Sequence, residues 1–218
     1  MVQNQRNHVE FKIKKFMIIG PKYKIARRLG APIFEKTQTQ KYAMNAERRG
    51  KRKGFSKAKS EFGLQMNEKQ KARFTYGIGE KQFSNYVKEA LLKKGSNTSQ
   101  TIFGFLELRL DNIIYRLGFA PTRLGARQMV SHGHITVNGK RVDIPSRRMS
   151  VGEKIAIRSG SISKALFSSL DDRIKNVTIP SWIKFDATKK EAEVQGMPQF
   201  IPGENMFDLN TVIEFYSR

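Results

Sequence analysis

The charge of this chain is lopsided, and that restricts where a core can form. Residues 1–97 hold 24 Lys+Arg against 7 Asp+Glu, whereas residues 98–218 hold 17 against 12. Of the formal net charge of +22, the first stretch therefore carries +17 and the second +5. Concentrated like charge repels itself in a compact state, and a polyanion relieves that repulsion by neutralising it. A merely solubilising surface mixes the two signs more evenly. The expected partner is nucleic acid. An anionic membrane or another polyanion is the lesser alternative, and the longest apolar run, Phe16 to Ile19, falls far short of the roughly 20 residues of a membrane span.

At 218 residues the chain has room for roughly one or two domains. It contains no cysteine, which excludes a disulfide framework, a thiolate nucleophile and a Cys-ligated metal site. The three histidines, His8, His132 and His134, are too few for a His-rich metal centre. No cofactor and no metal are expected.

Residues 1–60 read as a weakly self-structured basic arm with one short helix over 21–30, where Ile25 and Leu29 stand four apart before Gly30 and Pro32. Its basic run comprises Arg48, Arg49, Lys51, Arg52, Lys53, Lys57 and Lys59. Such a run serves either as a solvated tail or targeting signal, or as an arm ordered by phosphates. Residues 61–97 predict two helices of about four turns, hinged near Gly77 and Gly79 and closed by Gly95. Lys69, Lys71, Arg73, Lys81 and Lys88 fall on their polar faces. Tyr76, Phe83 and Tyr86 fit core positions better than base-stacking platforms.

From 98 onward the pattern is richer. Leu106, Leu110, Ile113, Ile114 and Leu117 form one helical stripe that Gly118 stops. A second helix starts at Pro121-Thr122 and ends near Gly133. Glu107 and Asp111 resemble an acid/base pair in spacing, but no nucleophile stands beside them, so ion pairs with Arg109 or Arg116 are expected. Strands follow over ITVNGKRV, with the tight-turn pair Asn138-Gly139, and over EKIAIRS. Residues 106–158 thus predict two antiparallel helices backed by a small sheet that buries one face. The other face would collect Arg116, Arg123, Arg127, His132, Lys140, Arg141, Arg147 and Arg148. Arg123, Arg127, Arg147 and Arg148 suit forked pairing with phosphates, and Lys140 and Arg141 sit beside a turn tight enough to approach a backbone. His132 and His134 fit either RNA contact or a plain helix end. Beyond the module, a helix from Ser163 to about Ile174, a hairpin over 183–194 anchored by Trp182, and a docking tail ending the chain are expected.

Several blocks carry a resemblance: RLDNIIYRLGFA from Arg109, TRLGARQMVSHG from Thr122, ITVNGKRV from Ile135, IPS from Ile144 and VGEKI from Val151. In this order they resemble the RNA-binding module named after small ribosomal subunit protein four. FGLQMNEKQKARFTYG from Phe62, GEKQF from Gly79, GPKYKIARRLG from Gly20 and VIEFYSR from Val212 extend the likeness to the bacterial-type family of that protein over nearly the whole chain. The resemblance implies an α+β fold: a mainly helical first domain with the module inserted. The segments would be a basic N-terminal arm and short helix at 1–60, the helical part of the first domain at 61–97, the inserted RNA-binding domain at 98–200 with its core at 106–158, and a tail at 201–218 docking back.

The implied role is non-enzymatic: a structural constituent of the small ribosomal subunit that binds the five-way junction in the 5′ domain of small-subunit rRNA and nucleates assembly. It would lie near the mRNA entrance channel, with mRNA and neighbouring small-subunit proteins as partners and an influence on accuracy, and its own mRNA is a further partner. The setting would be the cytoplasmic ribosome of a bacterium, with an organellar ribosome as the alternative. Competing readings are a stand-alone regulatory RNA-binding protein and an RNA-modifying enzyme. Two departures from the family pattern stand out. The zinc-binding cysteines of some relatives are missing, and NAERRGKRKG from Asn45 replaces the PGQHG-like stretch of many bacterial members. The leader, residues 1–19, is longer than the pattern implies.

Overall fold

The computed structural model describes residues 19–50, 59–93, 95 and 97–217, with Arg49 and Gly50 described by their backbone alone. The fold is α+β and its apolar side chains gather into three cores.

The smallest core surrounds α1 (Lys22–Leu29). Ile25 and Leu29 pack with Ile33, Phe34 and Phe74, and Gly30 ends the helix at φ 72°, its N–H donating to the Ala26 carbonyl. A further helix, α2 (Gln40–Gly50), corrects the reading of this arm as weakly structured. Ala, Met, Glu and Arg propagate a helix without large apolar residues, so the apolar pattern gave no warning of it. All the side chains described for α2 are exposed except that of Tyr42.

The second core joins α3 (Glu61–Tyr76), α4 (Glu80–Leu92), α5 (Thr98–Glu107) and α10 (Leu209–Tyr216). Ser60 caps α3 by accepting from the Gly63 N–H at 3.2 Å, and Gly77 closes it in the left-handed conformation at φ 62°. Tyr76, Phe83 and Tyr86 are core residues here, packed with Ile102, Leu106, Leu209 and Val212. The C-terminal helix α10 lies along α3 and α5, with its Phe215 ring 5.5 Å from that of Phe62.

The third and largest core begins at Leu108. The single helical stripe expected across 106–117 is broken: α5 stops at Glu107 and α6 (Leu110–Arg116) starts anew. The break is held by an isolated antiparallel bridge between Arg109 and Arg148. Leu110 N–H donates to Arg147 O at 2.9 Å, and Met149 N–H to Leu108 O at 2.8 Å. Periodicity alone cannot see such a partner. Against α6 lies α7 (Arg123–Ser131), capped by Thr122, whose hydroxyl accepts from the Gly125 N–H at 3.0 Å.

The sheet comprises β1 (Ile135–Val137), β2 (Lys140–Val142), β3 (Lys154–Ile157), β4 (Ile183–Asp186) and β5 (Glu191–Val194), antiparallel throughout in the order β2-β1-β3-β5-β4. Asn138 and Gly139 turn the first hairpin at φ 49° and 76°, the paired positive values of a type I′ turn. The later hairpin is part of this sheet, since β5 pairs with β3 in the register Ile155↔Ala192. Ile113, Ile114, Leu117, Ile135 and Ile155 are fully buried beneath it. Truncating any one of them to Ala would cost about 2–5 kcal/mol.

The helix expected from Ser163 to Ile174 forms only in part: a separate one-turn α8 (Ser159–Ile162) lies before the expected start, and a 3-10 turn at Ala165–Phe167 precedes the short α9 (Leu170–Lys175). Serine competes with the helical backbone for hydrogen bonds, and the Ser168 hydroxyl donates to the Ala165 carbonyl at 2.9 Å.

Candidate nucleic-acid interface

The cations of the module divide into a seam and a rim. The seam lies where the second and third cores meet, between Leu106 and Leu108. Arg109, wholly buried, holds Asp111 through Nε and Nη2 at 2.9 and 2.6 Å, and donates through Nη1 to the Tyr86 hydroxyl at 2.8 Å. One guanidinium thus links a carboxylate of the module to a core aromatic of the helical body. Burial opposes its charge, but the Asp111 carboxylate more than compensates and raises its pKa.

Glu107 is the second node. Its buried carboxylate accepts from the Tyr76 hydroxyl at 2.7 Å, from the Asn112 amide at 2.9 Å and from Arg116 through Nε and Nη2 at 3.0 and 2.8 Å. Burial pushes this carboxyl up, yet Arg116, with Arg123 and Tyr76, brings it below the ordinary carboxylate value. Burial, then the Glu107 charge, hold Tyr76 well above the ordinary phenol value. The expected pairs of Glu107 and Asp111 with Arg116 and Arg109 are therefore present.

Three more arginines that the sequence places on the solvent face belong to this seam. Arg123 donates to Asn112 Oδ1 at 3.0 Å and stacks on the rings of Tyr115 and Tyr76, at 4.3 and 5.2 Å. Arg127 donates to the Gly77 carbonyl at 3.2 Å, and burial lowers its pKa. Arg148 makes a forked pair with Glu89 of α4, at 2.6 and 2.5 Å, and covers the Phe105 ring at 3.9 Å. The single-face reading of Arg116, Arg123, Arg127 and Arg148 is corrected accordingly: each is engaged within the chain at the junction of the two cores. A helical wheel drawn for an isolated module cannot show that a second core covers one of its faces.

The helical body brings a similar correction. Lys69, expected on a polar face, is buried against Glu80 at 2.9 Å and lies 4.3 Å from the Phe215 ring centroid. Arg73 shares Glu80 at 3.6 Å, and Lys71 pairs with Glu68 at 2.6 Å. The return of α10 onto α3 encloses this face, a contact no local pattern reveals.

The rim lies at the far end of α7. His132, Lys140 and Arg141 are exposed, and the hairpin folds Arg141 back over Gly133. A Cβ at Gly133 would fall 2.1 Å from Arg141 Nε and push that flexible side chain aside, while its φ of +69° is what calls for glycine here. His134 Nδ1 lies 3.0 Å from the Ser161 hydroxyl. Its pKa is lowered, first by partial burial and then by Lys164, His132, Arg158 and Arg141. Beside the burial, Lys164, Arg158 and Arg141 thus add positive potential at this imidazole. Arg158 and Lys164 escaped the sequence reading, since β3 and α8 join the rim only through the sheet. Arg147 pairs with Glu153 at 2.6 Å. Arg48 is exposed on α2, the side chain of Arg49 is not described, and Lys51, Arg52, Lys53 and Lys57 lie outside the described residues. Among the described residues no cluster of His, Cys, Asp and Glu could hold a metal ion, and no helix is long and apolar enough to cross a membrane.

Fold and site together define a helical body that carries a small α+β module with a cationic outer rim. Comparison with known proteins divides the chain at the seam. Residues 17–107 match the family model of the ribosomal protein S4/S9 N-terminal domain, and residues 108–155 that of the S4 domain. The small ribosomal subunit protein uS4 of Akkermansia muciniphila is 40% identical over 200 residues, covering 91% of this chain and 98% of the relative. Those of Chlorobium phaeovibrioides and Roseiflexus sp. are 39% and 41% identical over 199 and 210 residues, covering 89% and 91% of this chain and 96% and 98% of the relatives. The chain belongs to the uS4 family of small ribosomal subunit proteins.

Proposed function

We propose that this chain is a structural, non-catalytic component of the small ribosomal subunit and binds its rRNA directly. The observation that carries this reading is the rim: His132, Lys140 and Arg141 stand exposed together at the end of α7 and the β1-β2 hairpin, with Arg141 folded over Gly133 and the His132 and His134 rings 6.1 Å apart. Structured RNA presents phosphates and shallow grooves, and is recognised chiefly by shape and charge. His132, Lys140 and Arg141 make the primary module contacts, and Arg48, Arg49, Lys51, Arg52, Lys53 and Lys57 make those of the basic arm. Lys71 and Arg147, each paired with one partly exposed carboxylate, exchange that partner for phosphate. Arg116, Arg123, Arg127 and Arg148 act indirectly by fixing the module on the helical body, and Lys69 and Arg73 by holding that body together through Glu80.

The finer assignment is the five-way junction of the 5′ domain, bound early so that it nucleates assembly. The protein then lies among neighbouring small-subunit proteins near the mRNA entrance channel, where it influences accuracy. The setting is a bacterial cytoplasmic ribosome, and the chain's own mRNA is a second RNA that the same surface fits.

The test is a titration of the full chain against the naked 5′ domain of small-subunit rRNA and an equal-length scrambled RNA, over a salt series. Tight binding of the domain alone, with log affinity falling linearly in log salt, is the expected result. Equal affinity for both RNAs would reduce the interaction to bulk charge and overturn the junction assignment.

A further inference from the structure

The N-terminal end of the molecule carries a groove that the module does not explain. It runs between α1 and α2 and encloses about 980 Å³, at the upper end of the roughly 300–1,000 Å³ of ligand sites. A second hollow of about 330 Å³ adjoins it and shares Arg27, Thr39, Tyr42 and Ala46. We propose that this groove binds unpaired RNA nucleotides, taking bases onto its small-residue floor and phosphates onto its cationic edge. The proposal rests on the reading of the chain as an RNA-binding protein and adds a site outside the module.

The groove offers surfaces for both the base and the phosphate of a nucleotide. Ala31, Pro32, Ala43 and Ala46 line it with small, flat side chains, leaving depth for a planar ring. Tyr23 and Tyr42 form a stacked pair at its side, with centroids 5.8 Å apart and planes 25° apart, and Tyr23 is half exposed. Such a pair offers a π-face onto which a base can extend the stack. Gln38, Thr39 and Gln40 supply donors and acceptors for base edges. Among the described residues lining it, Lys24, Arg27 and Arg28 provide the cations against one carboxylate, Glu47, and Arg27 is oriented by a hydrogen bond from Nε to the Tyr23 carbonyl at 3.2 Å.

The state of α2 argues that this surface takes an occupant. Tyr42, Ala43 and Ala46 share one side of an 11-residue helix, yet both alanines are exposed. A helix of that length is marginal when little packs against it. Charge selects the occupant. The chain's own leader is basic, with Arg6, Lys12, Lys14 and Lys15 against Glu10, and would be repelled by Lys24, Arg27 and Arg28. A polyanion with flat apolar faces is attracted. Duplex RNA keeps its bases stacked inside and shows the floor only sugar and phosphate, so the single strand fits.

The test uses the full chain with a mixed-sequence eight-nucleotide RNA containing 4-thiouridine, and a duplex of the same length. Photocrosslinks are mapped by mass spectrometry and affinities are measured in moderate salt. Ala46→Glu places a carboxylate in the groove on an exposed helical position, and Met44→Glu, exposed on the same helix, controls for charge alone. Circular dichroism and urea unfolding establish that both variants fold. Crosslinks within 23–46, with Ala46→Glu weakening the single strand about tenfold and Met44→Glu no more than about twofold, are expected from loss of one stacked base and local repulsion. Equal weakening by both variants, equal sensitivity of the duplex, or crosslinks confined elsewhere would each overturn the proposal. Wild-type chain that binds the eight-mer in the groove but does not prefer the 5′ domain rRNA would sink the functional reading and leave this site standing.

Discussion

Arg109 and Arg141 stand on the same small module and do opposite things. Arg109 has no exposure, and its donors are taken by Asp111 and Tyr86. Arg141 is exposed at the rim and folded over Gly133, near His134. The seam spends its arginines on internal order, whereas the rim leaves its cations unbalanced for an outside anion. A net charge of +22 therefore overstates what this surface offers to RNA, because part of it is committed within the fold.

The largest expected effect is at the seam. Arg109→Ala strands the Asp111 carboxylate in the interior, and losing one partner of a buried pair costs about 3–5 kcal/mol. Urea unfolding at neutral pH should show a loss of that size. Replacing both partners, Arg109→Met with Asp111→Leu, should lose much less, since no buried charge is left alone. Equal losses in the single and double variants would show that the pair contributes shape rather than charge satisfaction.

Arg148 and Arg141 sharpen the contrast at intermediate size. Arg148 is about one-third exposed (34%) and forks onto Glu89 while covering Phe105. Arg148→Ala should cost about 1–2 kcal/mol of stability, through lost packing as much as lost charge, and leave the salt slope of RNA binding unchanged. Arg141→Ala should leave stability within about 0.5 kcal/mol while lowering that slope by about one unit. Unfolding curves and a salt series on the same two proteins check both statements. A changed slope for Arg148→Ala would move that residue to the rim.

The same division explains what could be read from the sequence. The helices α1, α3, α4 and α7, the Asn138-Gly139 hairpin and the 183–194 hairpin were legible, because local periodicity, caps and turn residues determine them. The pairing of Glu107 and Asp111 with arginines was legible too, from the lack of any nucleophile beside them. The break at Leu108-Arg109 was not, since its cause lies about 40 residues away in the backbone of Arg147 to Met149. Nor was the inward commitment of Arg116, Arg123, Arg127 and Arg148, which depends on a second core packing beside the module. Arg158 and Lys164 were missed for the converse reason: the sheet brings distant residues to one rim. Helix α2 went unseen because it lacks the apolar stripe by which helices are recognised.

The smallest expected effect, and the one that separates the two regions by pH window, is the response to pH. His134 has a pKa below the ordinary histidine value, through burial and then the charges of Lys164, His132, Arg158 and Arg141. An unfolded chain, with its histidine near 6.5, therefore binds a proton before the folded chain does. Stability is full above about pH 6.5 and declines as pH falls from there through the lower folded value. Because the group is only partly buried, the linkage should amount to less than one proton, and His134→Asn should flatten it. Glu107 works in the same direction but in a lower window. Its folded pKa is depressed, so its contribution is present above the ordinary glutamate value near 4.3 and lost as pH falls through the folded one. Between pH 5 and 7 the histidine thus acts without the seam carboxylate. A phosphate on the rim would raise the pKa of His134, so RNA affinity should increase as pH falls across the window in which stability declines. Paired unfolding and binding titrations at several pH values, with wild type and His134→Asn, measure the two slopes. Slopes of the same sign would mean that no phosphate approaches His134, and the rim contacts would then have to lie on the exposed side, at Lys140 and Arg141.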